Sequence, residues 1–387
     1  MAKIIRVTTV PVSLGGLLKG QLKFMSNYYE ILGISSEGSA SINSTIYNVA
    51  EDEGIRVIPV EMTRKITPIK DLKAVYQLYK VFKKEKPDIV HSHTPKAGTL
   101  GMLAAKLAGV PNRLHTIAGL PLLVVTGPKR KLLNFVEKLT YSCATKIYPN
   151  SYGLKDIIVE NKFIAEEKTK VIAKGSSNGI DTSYFDPSLY SDSEKEDLKK
   201  QLSIKQSDVV FLFVGRLVKD KGINELIEAF KKISVEFDQA KLLLVGTYEK
   251  DLDPLLPDTE TEINTNSNII SVGWQNDVRP FFSIADVLTF PSYREGFPNV
   301  VMQAGAMGLP SIVTDINGCN EIVSEGINGL IIPVQSTKAL YSSMKKLLID
   351  HKLKEDLGSN SRAVIVNSYE RTFVWQQLLK EYKALIN

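Results

Sequence analysis

A chain of 387 residues exceeds one ordinary hydrophobic core and predicts two domains, while 43% hydrophobic and 24% charged residues exclude wholesale disorder. The net charge of +5 is unevenly spread: residues 1–185 carry 26 Lys and Arg against 15 Asp and Glu, a surplus of +11, which leaves −6 for the remainder. Solvated lysines account for such a surplus, as does attraction to anionic lipid heads or an acidic acceptor. Cys143 and Cys319 lie far apart with no histidine at metal-ligand spacing, which suits a reducing cytoplasm. No apolar run approaches a membrane span, and no signal peptide is expected.

Residues 4–10, Ile-Ile-Arg-Val-Thr-Thr-Val, form a first strand, and Pro11-Val-Ser-Leu-Gly-Gly16 turns before a helix of about four turns. Gly15 and Gly16 let backbone approach a ligand closely, although their spacing is not the dinucleotide fingerprint and plain loop geometry explains the pair as well. Residues 55–60 read as the second strand and 69–84 as a helix with basic residues at its C-terminus. Asp88-Ile-Val-His-Ser-His-Thr-Pro-Lys-Ala-Gly98 runs from a strand into a small-residue helix, and the spacing of two puts His91 and His93 on one face. No third metal ligand stands near them. Hydrogen bonding or proton handling by His93 or His115 suits this end of a parallel sheet, with His91 open to a structural role.

From residue 120 to 139 come an apolar run (120–125), the cations Lys129, Arg130 and Lys131, and an amphipathic helix. That order suits a segment lying on a membrane surface and, equally, a buried helix. Residues 146–149 and 170–173 read as strands, and the polar run 182–193 as a linker between domains over 1–185 and 186–368. Strand and helix repeat about five times in the first half, the pattern of a parallel, doubly wound sheet.

In the second half, residues 208–214 form a near-continuous apolar strand, followed by Gly215-Arg-Leu-Val-Lys-Asp-Lys-Gly222 and a helix over 223–235. Arg216, Lys221 and the amides of a helix start make a diphosphate clamp, although an exposed basic loop has the same composition. A strand at 241–245 leads to the polar, proline-interrupted run 252–268, and a strand and turn occupy 269–280. Ala285, Val287, Leu288 and Phe290 predict a strand buried on both faces. It feeds Ser292-Tyr-Arg-Glu-Gly-Phe-Pro-Asn299, where Asn299 is expected to cap a helix bearing Val300, Val301, Ala304 and Met307 at helical spacing. Glu295 then stands just outside that helix, where a phosphate or ribose is favoured, though the dipole alone explains a carboxylate there equally well. Asp251-Leu-Asp253 lies past a strand end and is read as chance spacing, so no metal site is expected. Helices close the chain from about residue 337, the last (369–387) with a core stripe of Tyr369, Phe373, Trp375, Leu378, Leu379 and Tyr382.

The stretch Glu295-Gly296-Phe297-Pro298-Asn299 with the small-residue helix after it resembles the Glu-x7-Glu motif of the retaining GT-B glycosyltransferases, and residues 215–222 match that family's phosphate motif. This chain departs from the motif at its second acid, which is Gln303; a Gln amide can still accept a bond from a ribose hydroxyl. The resemblance implies two Rossmann-like domains facing a cleft, with the last helix crossing back to the N-terminal domain. It implies that Arg216 and Lys221 neutralise the donor diphosphate and that Glu295 faces the donor sugar. It further implies that Gly296, Phe297, Pro298 and Asn299 surround the donor, that Gln303 meets the ribose, that Gln275 and Val278 meet a uracil, and that Gly15 and Gly16 border the diphosphate. Residues 91–121 resemble enzymes that build bacterial polysaccharide and lipid-linked oligosaccharides, with His93 or His115 at the acceptor.

The expected activity is therefore metal-independent, retaining transfer of a hexose or N-acetylhexosamine. The donor is a nucleoside-diphosphate sugar such as a UDP sugar, and the acceptor is lipid-linked or an oligosaccharide. Capsule or lipopolysaccharide synthesis at the cytoplasmic face of the inner membrane would be the setting, with no resident cofactor and no nucleic-acid partner. Two alternatives remain from the residues: a nucleoside-diphosphate-sugar epimerase, and a nucleotide-binding partner subunit without activity, which Gln303 would suit.

Overall fold

Apolar strand segments alternate with helices throughout, and they assemble into two parallel six-stranded sheets. The computed structural model describes every residue except 40–43, 64, 65, 121, 123, 124, 250–252 and 387. Two units result, Met1–Gly179 with Arg371–Asn387, and Ile180–Glu370.

In the first unit the strands are β1 (Lys3–Val7), β2 (Glu30–Ser35), β3 (Arg56–Pro59), β4 (Ile89–His93), β5 (Asn112–Ile117) and β6 (Lys146–Pro149). Their order is β3-β2-β1-β4-β5-β6, all parallel. One face carries α4 (Pro68–Glu85), α5 (Pro95–Ala108) and α6 (Gly127–Cys143), whose Leu78, Phe82, Met102 and Tyr141 pack on Val7, Val90 and Ile147. The other carries α1 (Pro11–Leu17), α2 (Gln21–Ser26), α3 (Ile46–Glu53) and α16 (Arg371–Ile386), with Leu14, Leu22, Ile46 and Leu378 over Ile4, Ile31 and Leu114. Helix α7 (Tyr152–Glu160) follows β6, its first turn capped by Ser151.

The second unit repeats this plan with β7 (Val209–Val214), β8 (Ala240–Val245), β9 (Ile269–Ser271), β10 (Val287–Phe290), β11 (Ser311–Thr314) and β12 (Gly329–Ile332), in the order β9-β8-β7-β10-β11-β12. Its helices are α8 (Asp192–Gln201), α9 (Ile223–Glu236), α10 (Pro257–Thr265), α11 (Arg279–Ser283), α12 (Asn299–Ala306), α13 (Cys319–Ile322), α14 (Thr337–Ile349) and α15 (His351–Tyr369). Helix α9 buries Ile223, Leu226, Ile227, Phe230 and Ile233 along one stripe. Each contributes about 1.5–3 kcal/mol by leaving water, so this stripe fixes where the preceding loop, which carries Lys221, must lie.

Several local expectations are corrected. The second strand in chain order is Glu30–Ser35, and residues 170–173 form no strand, only a bridge between Ile147 and Thr169 beside them. Gly15 and Gly16 lie inside α1 rather than in a turn before it, because Pro11 at the first helical turn supplies the fixed φ that starts a helix earlier. The helical stretch then breaks at Gly20, which is left-handed. Asn299 is the first residue of α12, and Pro298 holds the cap position with no side-chain cap bond. The expected linker is tied down: Arg362 donates to the Phe185 and Thr182 carbonyls and to Asp186 at 2.7 Å, and Ser191 with Glu194 forms a capping box that starts α8. Helix α10 occupies part of the run read as polar loop. In the C-terminal stripe Trp375, Leu378, Leu379 and Tyr382 are core, whereas Tyr369 ends α15 against Phe297 and Phe373 is 37% exposed.

Candidate active site

In an open parallel sheet a crevice forms beyond the carboxyl ends of the two strands where the order reverses. In the second unit those strands are β7 and β10. Lys221 follows the first and Glu295 the second. Although 74 residues apart, their side chains meet: the Lys221 ammonium is ion-paired with Glu295, each side chain 16% exposed. Ser292 Oγ donates to the same carboxylate at 2.9 Å. An ammonium has three donors, so the pair leaves two for a further anion.

Backbone chemistry holds the two loops together. Asp220 N–H donates to Asp253 Oδ2 at 2.6 Å, Tyr293 N–H donates to the Asp220 carbonyl at 2.9 Å, and Arg294 pairs with the Asp220 carboxylate at 2.8 Å. Asp220 thus joins the Lys221 loop to the Glu295 loop. Gly222 permits the approach: its φ is +71°, and a Cβ there would sit 2.1 Å from the Pro291 carbonyl oxygen. Gly318 does the same on the far side, where a Cβ would lie 2.5 Å from the Gly296 oxygen. Asn317 donates to the Glu295 carbonyl, and Thr314 to that of Ser292.

Helix α12 starts beside this pair. With no side chain capping it, its first amides keep their donors and the positive end of the helix dipole for a ligand. Phe297 is buried, Gly296 and Pro298 lie in the turn, and Gln303 is half-buried one helical turn along. Arg216 lies at the rim, 46% exposed and paired with Glu249 at 2.5 Å. Gln275 donates to the Val272 carbonyl at 2.8 Å, and Val278 caps α11 while packing on the core. Cys319 is buried near Glu295; burial, reinforced by that carboxylate, pushes its thiol well up, so it is no nucleophile. Of the Asp-x-Asp pair, Asp251 lies outside the described residues and Asp253 is engaged by the Asp220 amide. Among the described residues no cluster of metal-ligating side chains occurs.

The first unit reverses between β1 and β4. There Thr9 and Thr94 hydroxyls meet at 2.8 Å, and Thr94 has φ +73°, a strained value for a β-branched residue. Behind them lies a buried polar cluster. Arg6 is fully buried, donating through Nη2 to Gln21 at 2.6 Å and through Nε to His93 Nε2 at 3.2 Å. His91 contacts Tyr382 Oη at 2.6 Å and Thr116 Oγ1 at 2.8 Å, and its ring stacks on His93 at 4.3 Å. His91 and His93 do share a face, and with Thr116, Asn150, Ser176 and Ser177 they line a cavity of about 20 Å³, enough for one water.

His115 points to the opposite face. It contacts Ser92 Oγ at 2.9 Å, and a Cβ on Gly98 would come within 2.4 Å of its ring, so α5 covers it. The structure therefore separates the two acceptor-side candidates that the sequence left together. Burial holds all three histidines neutral; His115 falls to about 4, and His91 and His93 well below the usual range, lowered further by the Arg6 charge. Sequence reasoning missed Arg6, Gln21, Asn150, Asp220 and Asn317. Thr94 was missed as well, although it left a signal as the residue before a helix-starting proline.

Leu120 and Leu122 are buried, so the start of the supposed interfacial segment is core, while residues 121, 123 and 124 lie outside the described set. Arg130 is held by the Leu122 carbonyl at 2.7 Å, but Lys129, Lys131, Leu132 and Phe135 on α6 are exposed. No helix among the described residues is long and apolar enough to cross a membrane.

Two doubly wound units, one carrying an anion-receptive cation and carboxylate at its switch point, define the class of the protein. Comparison with known proteins makes it specific. Residues 194–364 match the family described as glycosyl transferases group 1, and residues 22–151 match glycosyl transferase 4-like. The capsular polysaccharide biosynthesis glycosyltransferase CapM of Staphylococcus aureus is 34% identical, over 99% of this chain and 97% of its own. An Escherichia coli UDP-Gal:alpha-D-GlcNAc-diphosphoundecaprenol alpha-1,3-galactosyltransferase is 32% identical, over 82% of this chain and 81% of its own. Among solved structures, HepE of Anabaena in complex with UDP superimposes with a TM-score of 0.80 at 18% identity, covering 99% of this chain and 100% of that one. The chain belongs to the group 1 glycosyltransferases, has the GT-B fold, and is a glycosyltransferase.

Proposed function

We propose that this enzyme moves a hexose or N-acetylhexosamine, with retention and without a metal, from a UDP sugar to a lipid-linked or oligosaccharide hydroxyl during assembly of a bacterial surface polysaccharide. The observation that carries the reading is the Lys221–Glu295 pair at the uncapped start of α12. As the glycosidic bond breaks, negative charge builds on the leaving diphosphate; the remaining Lys221 donors, the α12 amides and Arg216 offset it. Glu295, oriented by Lys221 and Ser292, accepts hydroxyls of the donor sugar. The second unit would hold the donor, with Gln303 on the ribose and Gln275 and Val278 at the base.

The first unit would present the acceptor, and His93, which lines the cavity, serves that role better than His115 beneath α5. The relatives act in capsule synthesis and on a diphosphoundecaprenol-linked sugar, which supports a lipid-linked acceptor here. Lys129, Arg130 and Lys131 would attach the protein to the cytoplasmic face of the inner membrane.

The test is transfer from a panel of UDP sugars to short-chain prenyl-diphosphate sugars in the presence of a chelator. Lys221→Ala and Glu295→Ala should each lower turnover by about 100-fold or more. Near-normal rates in either variant would remove the site. Loss of transfer with the chelator would remove metal independence, and conversion of the donor into its epimeric sugar nucleotide without acceptor, rather than hydrolysis to UDP, would indicate epimerisation instead.

A further inference from the structure

The first unit carries an apolar stripe that its own fold does not cover. On α4 the core side, Ala74, Val75, Leu78 and Phe82, is buried, whereas Ile69 is 88%, Leu72 71% and Tyr76 56% exposed. At 3.6 residues per turn, Ile69, Leu72, Lys73, Tyr76, Lys80 and Lys83 fall on one face, opposite the buried side. The apolar residues occupy its N-terminal half together with Lys73, and Lys80 and Lys83 continue the face in its C-terminal half.

The acids of α4 do not neutralise those cations. Asp71 is held by Lys96 at 2.5 Å, and Glu85 by Lys3 at 2.7 Å and Arg56 at 2.5 Å. Among the described residues none of Lys73, Lys80 and Lys83 has a carboxylate partner; Lys80 instead lies over the Tyr76 ring, 4.5 Å from its centroid. An apolar ridge flanked by uncompensated ammonium groups is complementary to an interface that is apolar below and anionic above. Helix α6, on the same sheet face, shows the same combination, with Phe135 64% and Leu132 48% exposed beside Lys131.

We propose that α4 is a membrane-docking helix: Ile69, Leu72 and Tyr76 enter the boundary between headgroups and acyl chains of an anionic bilayer, and Lys73, Lys80 and Lys83 bind lipid phosphates. The proposal rests on the membrane attachment given under the proposed function and adds a surface that the basic cluster of α6 does not supply.

The experiment measures co-sedimentation of the full chain with phosphatidylcholine vesicles, with and without phosphatidylglycerol. It compares the unmodified protein, an Ile69→Ser/Leu72→Ser/Tyr76→Ser variant and a Lys73→Glu/Lys80→Glu/Lys83→Glu variant. Binding should require phosphatidylglycerol, and each variant should lose at least about tenfold in partitioning while hydrolysing a UDP sugar at the unmodified rate. Variants that bind as well as the unmodified protein overturn the role of α4 but leave membrane attachment standing. Failure of the unmodified protein to bind overturns both. If the serine variant changes a dimer into a monomer at unaltered vesicle binding, the stripe joins two copies of this chain and the proposal falls.

Discussion

The two sheets share one strand order and differ in what stands where that order reverses. In the second unit the loops after β7 and β10 bring a lysine and a glutamate together beside a helix start without a side-chain cap. In the first, the equivalent strands β1 and β4 end in paired threonines, and the charge nearby, Arg6, is sealed beneath neutral histidines. Topology therefore fixes where a crevice forms, and the few residues just past the strand ends fix whether it faces a charged ligand. The same contrast separates the histidines: His91, His93 and His115 are buried in the first unit, while His351, the fourth, is exposed in the second.

This comparison can be broken at the loops first. Gly222→Ala forces a Cβ against the Pro291 carbonyl at a φ of +71°, which should push the Lys221 loop away from Glu295. Turnover should fall by about 100-fold, as for loss of a charge-stabilising donor, with the first unit's hydrogen exchange unchanged. Full activity would show that the close approach of the two loops is not needed.

Acid should next distinguish the units. Burial lowers the folded-state pKa of the three histidines, so as pH falls the unfolded chain takes up protons first. Their stabilising contribution is complete above about 6.5 and declines as pH drops toward and through 4. For His115 alone the gap corresponds to roughly 3 kcal/mol. Hydrogen exchange at pH 7 and pH 5 should show the first unit loosening before the second, and His115→Gln should flatten the pH dependence of Tm. Equal loosening of both units would contradict the assignment.

The smallest effect is expected at Gln303. Gln303→Glu restores the acid of the resembling motif and should tighten UDP binding by about two- to tenfold, the scale of one improved hydrogen bond to a hydroxyl. Calorimetry with UDP reads this directly, and unchanged or weaker binding would place the ribose elsewhere.

Much of the fold was legible because strands buried on both faces read as continuous apolar runs, as in Val209–Val214 and Val287–Phe290. Glu30–Ser35 escaped because its short Gly-containing run follows a helix without a strong stop signal, and α8 because it is polar and depends on the Ser191 capping box. Residues 170–173 have β composition, yet pairing with β6 stops at the Ile147–Thr169 bridge and the Lys170 amide, so composition misled there.

By itself the sequence determined the class of fold and singled out Arg216, Lys221 and Glu295 as candidates, since apolar periodicity, glycine placement and charge near helix starts are local properties. Only the tertiary structure decided that Lys221 touches Glu295, that Arg6 is entombed with His93, and that His115 faces away from it. Each depends on which strands become neighbours and which face a side chain takes, and burial and partnership are set by those long-range choices.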